Sequence, residues 1–257
     1  MRSSHRAARP AGERELSVGR YARLDRGRPH RVGVPEVVLG EGKSPEHLVG
    51  ILRALRARRL GALVSRPTPS QRRTLRSPTG RGLGVRELAG GRLLRLPGPL
   101  ETAYRHGVVA IVTGGTSDVP GAEEARALLR ELGVRVVHAY DVGVAGLHRL
   151  LRSVRRLERH RPEIYLVFAG REGALPTVVA GLVRAPVVGI PTSVGYGRGG
   201  RGEAALGAML QSCAPIAVVN IDAAVPAALF AAQHFALPRS GRTAERGTGR
   251  ARRSPRA

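Results

Sequence analysis

The chain has 257 residues, 42% hydrophobic and 3% aromatic, a formal net charge of +24 and a single cysteine, Cys213. That size buries a real core in one large domain or two modest ones, and one thiol excludes an internal disulfide framework and points to a reducing, cytoplasmic setting. No apolar run is long enough for a membrane span or a secretion signal, and half of the charge, +12, sits in residues 1–31 and 239–257, so nucleic acid is not the expected partner.

Residues 1–14 are rich in Arg, Ser and Pro without hydrophobic periodicity and read as a disordered basic tail, as do residues 238–257. From 15 to 105 the elements are short and mixed, which predicts a small α/β domain. "PEVVLG" reads as a strand. "SPEHLVGILRALRARR" reads as an amphipathic helix with Ser44 as N-cap, Pro45 in its first turn and Leu48, Ile51, Leu52 and Leu55 on one face. "GALVS" is a strand, "TPSQRRTLRS" a capped helix and "GRLLRLPG" a short strand. Of the lysines and arginines every residue but one is arginine, and the exception, Lys43 in "GEGKSPEH", reads either as a site wanting a compact ammonium rather than a planar fork or as one lysine left by chance.

From 106 to 237 the pattern becomes regular. Apolar runs "GVVAIVTGG", "VRVVHAYD", "IYLVFAG", "PVVGIP" and "PIAVVNID" alternate with the helix-like "GAEEARALLRELG", "VAGLHRLLRSVRRLER", "EGALPTVVAGLV", "GEAALGAMLQS" and "VPAALFAAQHF". This predicts a flavodoxin-like three-layer sandwich on a parallel five-stranded sheet.

Ligands in such folds bind beyond the carboxyl ends of the strands. After the first strand, "TGGTSDVPG" offers glycines for close backbone approach, the hydroxyls of Thr116 and Ser117 and a helix N-terminus suited to an anion, with an ordinary capped turn as the competing reading. It matches neither a dinucleotide fingerprint nor a Walker loop. Asp141 ends the second strand, with His148 expected about two turns into the following helix. Arg171 and Glu172 lie at the next helix entrance, where a plain surface pair is the competing reading. Thr192, Ser193 and Tyr196 fall in a long Gly-rich loop able to wrap a phosphate or close over it. No Cys and His spacing suggests a zinc site, and no nucleophile elbow is present. Cys213, in "MLQSCAPIAVVNID", is either a small buried hydrophobe or a nucleophile.

Taken together, "VTGGTSDVPGAEEA", "YDVGVAGLHRLL", "AGREGALPTVVAGLV", "GIPTSVGYG" and "MLQSCAPIAVVNID" resemble the LarB family, the carboxylase/hydrolase of nickel-pincer nucleotide cofactor synthesis. "LDRGRPHRVGVPEVVLGEGKSPEH" is similar to that family's leader, with Asp25, Arg28, Arg31, Pro35, Glu36 and Lys43 in matching places. The resemblance runs over about residues 15–235. Gly115 stands where Ala is usual and Arg171 where Met is usual. The second half more distantly resembles the aminoimidazole ribonucleotide carboxylase/mutase of purine synthesis. That enzyme's Ser-Ala-His-Arg-Thr loop is replaced here by "HAYDVG", so its histidine is absent and Tyr140 or Asp141 stands near its place.

The resemblance implies carboxylation of the pyridinium ring of nicotinic acid adenine dinucleotide by carbon dioxide, then phosphoanhydride hydrolysis with release of adenosine monophosphate. It implies Cys213 as nucleophile and Glu172 as base for the ring proton or as a group that holds it in position. Lys43, Arg28 and Arg31 would hold carboxylate or phosphate, Thr116, Ser117, Asp118, Asp141, His148, Thr192 and Ser193 would line the substrate, and Mg2+ would bind near Asp118. A homo-oligomer, possible as an octamer, is expected, with the apolar C-terminal helix at a subunit interface. The readings kept beside it are the purine-pathway carboxylase and a nucleotide- or nucleic-acid-binding protein.

Overall fold

The computed structural model describes residues 15–100, 102 and 104–236, so both arginine-rich tails lie outside the described residues. The first half opens with a hairpin that periodicity did not announce. β1 (Glu15–Val18) pairs antiparallel with β2 (Ala22–Asp25), turning Leu16, Val18 and Leu24 inward. The short α1 (Arg28–Val32) and β3 (Val37–Leu39) lead into α2 (Pro45–Ala57). Ser44 Oγ caps α2 by accepting the His47 N–H at 3.2 Å, and Leu48, Val49, Ile51, Leu52 and Leu55 form its buried stripe. β4 (Ala62–Ser65) precedes α3 (Pro69–Arg76), where Thr68 and Gln71 form a reciprocal capping box. The short α4 (Pro78–Arg81), β5 (Arg86–Leu88) and β6 (Leu93–Leu96) complete a four-stranded sheet of order β3-β4-β6-β5, parallel only between β3 and β4. Because the box satisfies donors on both sides, Thr68→Ala should cost about 1 kcal/mol, read from the urea midpoint.

The second half is the expected alternation: β7 (Val108–Thr113), α5 (Val119–Glu131), β8 (Arg135–Ala139), α6 (Leu147–Glu158), β9 (Ile164–Ala169), α7 (Leu175–Ala180), β10 (Val187–Pro191), α8 (Glu203–Leu210), β11 (Ile216–Val218) and α9 (Ala224–Phe235). All its strand pairs are parallel, in the order β11-β10-β9-β7-β8. Counted from β7, that is the flavodoxin-like order 2-1-3-4-5, with its switch point between β7 and β9. Side chains alternate across the sheet. Ala110, Val112, Tyr165 and Val167 meet Leu150, Val154, Val179 and Met209 of α6, α7 and α8, while Val109, Ile111, Leu166 and Phe168 meet α5 and α9.

The two halves share a core. Val34, Leu63 and Leu93 join the cluster of α5 and α9, so those helices are sandwiched between the two sheets. Leu94, Leu96, Ala62 and Val64 point the other way, onto α2 and the hairpin. Polar contacts repeat the arrangement: Arg95 Nε donates to Glu131 at 2.9 Å and Arg92 Nε to Glu124 at 3.2 Å, both acids on α5. α9, the helix expected to suit a subunit interface, buries most of its apolar surface within the protomer. Its Ala224, Ala227, Ala228, Ala231, Ala232 and Phe235 are spent inside the protomer, leaving Pro226 and Phe230 outward among its apolar residues.

Candidate active site

Because the five-stranded sheet is wholly parallel, the loops after β7, β8, β9, β10 and β11 emerge at one edge. Asp118 organises its centre. Only 5% exposed, it accepts Thr192 Oγ1–H at 2.6 Å on one oxygen and the Gly115 N–H at 2.8 Å on the other, clamping the β7 loop to the end of β10 across β9. Burial pushes its carboxyl pKa up, against the donors Thr192, Gly115 and Gly114, and the Asp222 carboxylate adds to the rise. Thr116 and Ser117 follow as exposed residues of a single turn at the N-terminus of α5. Both Asp118 oxygens are engaged, and among the described residues no group of three His, Cys, Asp or Glu could hold a metal, so a magnesium ion at this edge would take most of its ligands from water and substrate phosphate.

At the end of β8, Tyr140 donates to Glu123 Oε1 at 2.5 Å, and burial together with that carboxylate raises its pKa, so it is held as a neutral phenol. Asp141 adopts left-handed backbone (φ 57°), donates its N–H to Thr113 Oγ1 and pairs with Arg149 at 3.3 Å. His148 is the second residue of α6, exposed in its first turn rather than two turns in, because a separate 3-10 turn, Val144–Gly146, precedes the helix.

The β9 loop must pass close beneath the β10 loop. A Cβ on Gly170 would lie 2.3 Å from the Val194 carbonyl oxygen and 2.8 Å from Thr192 Oγ1, so that position requires glycine. Arg171 (φ 50°) lays its guanidinium 4.7 Å from the Tyr196 ring centroid and donates to its hydroxyl at 2.7 Å. Glu172 stands 61% exposed, only 3.9 Å from Arg171, with its carboxylate open to the edge. The Ser193 N–H donates to Asp222 Oδ1 at 3.0 Å, which fixes the start of the Gly-rich loop.

The first half reaches this edge from beyond β11. Arg66, just after β4, donates to the Asp222 carbonyl at 2.8 Å and lies 3.5 Å from Glu41, in the loop that carries Lys43. Arg28 and Arg31 do not join it. Arg31 is bound bidentately by Asp25, at 3.1 and 2.5 Å, and α1 lies against the far end of α9, where Gln233 Nε2 donates to the Val32 carbonyl.

Cys213 is also elsewhere. It is exposed in the turn between α8 and β11, at the amino edge of the sheet, beside a Ser212 hydroxyl that accepts from Thr177 at 2.8 Å. Ile216 is level with Val187, and the rise from Val187 to Thr192 alone is about 16 Å at about 3.3 Å per residue. The expected residues therefore divide. Lys43, Thr116, Ser117, Asp118, Asp141, His148, Glu172, Thr192 and Ser193 gather at or beside the carboxyl edge, whereas Cys213, Arg28 and Arg31 lie toward the opposite one.

Residues 108–246 match the AIR carboxylase family, and residues 16–81 match the LarB/PurE-like N-terminal domain. The chain belongs to the LarB family. An uncharacterised protein of Methanocaldococcus jannaschii is 38% identical to this LarB-family chain over 212 residues, covering 81% of it and 82% of its own length. An N5-carboxyaminoimidazole ribonucleotide mutase of the same archaeon is 31% identical over 51% of this chain and 80% of its own length. The mutase of Pyrococcus horikoshii is 32% identical over 48% of this chain and 70% of its own length.

Four residues that sequence reasoning did not single out complete the site of this LarB-family chain: Glu41, Arg66, Glu124 and Asp222. Glu124, 2% exposed, has one buried carboxylate oxygen without a hydrogen-bond partner. Burial raises its pKa in spite of Arg92 and Arg66. A carboxyl group raised on folding contributes stability that is present below its unfolded pKa and lost as pH rises through the folded one. Glu124→Gln should therefore match or exceed the wild type in urea midpoint at neutral pH and lose that advantage on acidification toward pH 4.5, the ordinary value for the group.

Proposed function

We propose that this chain carboxylates the pyridinium ring of nicotinic acid adenine dinucleotide and then hydrolyses its phosphoanhydride, releasing adenosine monophosphate, within nickel-pincer cofactor synthesis. The observation that carries the reading is the reach of the LarB/PurE-like half, through Glu41 and Arg66, to Asp222 at the carboxyl edge. The curated mutases match only about half of the chain, and the β8 end offers an engaged Tyr140 and an ion-paired Asp141 where a mutase would need its imidazole.

The chemistry suits these residues. A pyridinium ring is too electron-poor to attack carbon dioxide. Addition of the Cys213 thiolate to the ring carbon para to nitrogen forms a C–S bond and gives a neutral dihydropyridine, whose neighbouring carbon is nucleophilic. That carbon bonds to carbon dioxide, Glu172 takes the proton it carries, and the nitrogen lone pair expels the thiolate, restoring the pyridinium. No oxidant is needed: a ring C–H and carbon dioxide become a ring carboxylate and a proton. Thr116, Ser117 and the N-terminus of α5 would take phosphate, and Lys43 an anionic group from the other side. The cationic substrate itself favours the thiolate.

Cys213 and Glu172 stand at opposite edges of one sheet, so this chemistry needs Cys213 from a neighbouring protomer. The homo-oligomer expected from the resemblance thereby becomes part of the reading. The test is mass spectrometry of the purified protein with nicotinic acid adenine dinucleotide, bicarbonate and magnesium, beside a reaction with aminoimidazole ribonucleotide. A mononucleotide heavier by one carboxylate, with adenosine monophosphate, is the expected result. Turnover of the purine ribonucleotide alone would replace this reading with the mutase one.

A further inference from the structure

Arg66 is the point at which the two halves of the site are tied. Its backbone is left-handed (φ 48°), as is that of Asp222 (φ 54°), and the two residues meet directly. Such backbone is costly for a side-chain-bearing residue and persists where neighbours over-determine it. The neighbours here are specific. The Arg66 N–H donates to the Arg92 carbonyl at 3.1 Å, and Arg92 in turn pairs with buried Glu124. One guanidinium arm takes the Asp222 carbonyl and the other faces Glu41.

From Arg66 a path of hydrogen bonds runs along the carboxyl edge from the segment after β11 to the loop after β7. Asp222 holds the Ser193 N–H, the adjoining Thr192 donates to Asp118, and Asp118 holds the Gly115 N–H. In the other direction lies the loop from Gly40 to Lys43. Its base is fixed by buried Gln71, whose Nε2 donates to the carbonyls of Gly40 and Lys43 at 2.8 and 2.7 Å, and its outer side by the Glu41–Arg66 pair. Lys43, the one lysine of the chain, makes no salt bridge among the described residues. The loop is thus braced from two sides while its only cation stays uncommitted.

We propose that Arg66 is a positioning residue: it registers Lys43 against the carboxyl edge, so that an anionic substrate group is gripped from both halves of the chain. This rests on the reading above for the identity of the substrate but not for the grip itself. Arg66 presents two arms of one rigid, planar fork, one to the Asp222 carbonyl and one to Glu41, a fixed separation that the compact ammonium of lysine does not reproduce, so lysine should not replace it.

The experiment is a double-mutant cycle on the full chain. Wild type, Lys43→Gln, Arg66→Gln, Arg66→Lys and the double Gln variant are titrated calorimetrically with nicotinic acid adenine dinucleotide and, separately, with inorganic pyrophosphate. Each single Gln variant is expected to weaken binding about tenfold, the scale of one charge-assisted contact, and the double variant little more than either. Arg66→Lys should behave like Arg66→Gln. Hydrogen exchange should quicken at residues 41–43 in Arg66→Gln, with the amides of the α2 core unchanged. Additive losses, full rescue by Arg66→Lys, or unchanged exchange in that loop would overturn the proposal, as would a wild type that binds neither probe. Coupled loss for pyrophosphate with no binding of the dinucleotide would sustain the role of Arg66 and instead remove the proposed substrate.

Discussion

Cys213→Ala and Glu172→Gln protomers, each inactive alone, are expected to regain activity when co-expressed and purified as a mixed assembly. Each single variant should lose about 1,000-fold or more in carboxylated product, the scale of removing a nucleophile or a general base. If each site takes its thiol from one protomer and its carboxylate from another, random mixing leaves about one quarter of the sites with both groups intact. That recovery is large against so low a background and is read by product formation per protomer. The geometry makes the prediction sharp, because no rotamer change carries a side chain from the turn before β11 to the loop after β9. A mixed assembly as inactive as its parents would mean that the two residues do not act together across protomers. A Cys213→Ala protein that still carboxylates the ring would remove the thiol from the mechanism altogether.

Much of the fold could be read from the sequence because its signals are local. Continuous apolar runs alternating with amphipathic ones specify a parallel sheet covered on both faces, and the caps at Ser44 and Thr68 stand in the expected places. The β1–β2 hairpin escaped notice because four-residue strands in an arginine-rich stretch carry little periodicity. The site was legible where a loop composition is unusual, as in Gly114 to Asp118. It was not legible where function depends on which long-range partner a common residue finds. Arg66 is one arginine among many, and only the fold shows it meeting Asp222 across 156 positions of sequence. Cys213 shows the converse: its motif was plain, but the edge of the sheet on which it lies follows from chain direction. A residue before a parallel strand and a residue after one cannot share an edge within a protomer, however close they are in sequence to the same strand.

Asp118→Ala is expected to give the second large effect, on structure and activity together. It would strip a buried acceptor from Thr192 Oγ1 and the Gly115 N–H, leaving two donors with little access to water. Unsatisfied buried donors cost about 1–3 kcal/mol each, while relief of the buried carboxylate's own desolvation offsets part of that. A net loss of about 2 kcal/mol in stability, read from the urea midpoint, follows. The Asn variant separates the clamp from the charge. Its amide oxygen can keep the Gly115 N–H while the Thr192 hydroxyl turns to accept from the amide nitrogen, so its stability should stay within about 1 kcal/mol of wild type. Because Asp118 spans β7 and β10 across the switch point, losing the clamp lets the Thr116–Ser117 turn and the Ser193 loop move apart. A misplacement of that kind costs about 100-fold in turnover. Turnover falling in Asp118→Ala and largely retained in Asp118→Asn would identify the carboxylate as a brace for the loops of the carboxyl edge. Equal loss in both would mean that the negative charge itself meets the substrate, and the clamp geometry would then be secondary to the electrostatics of the edge.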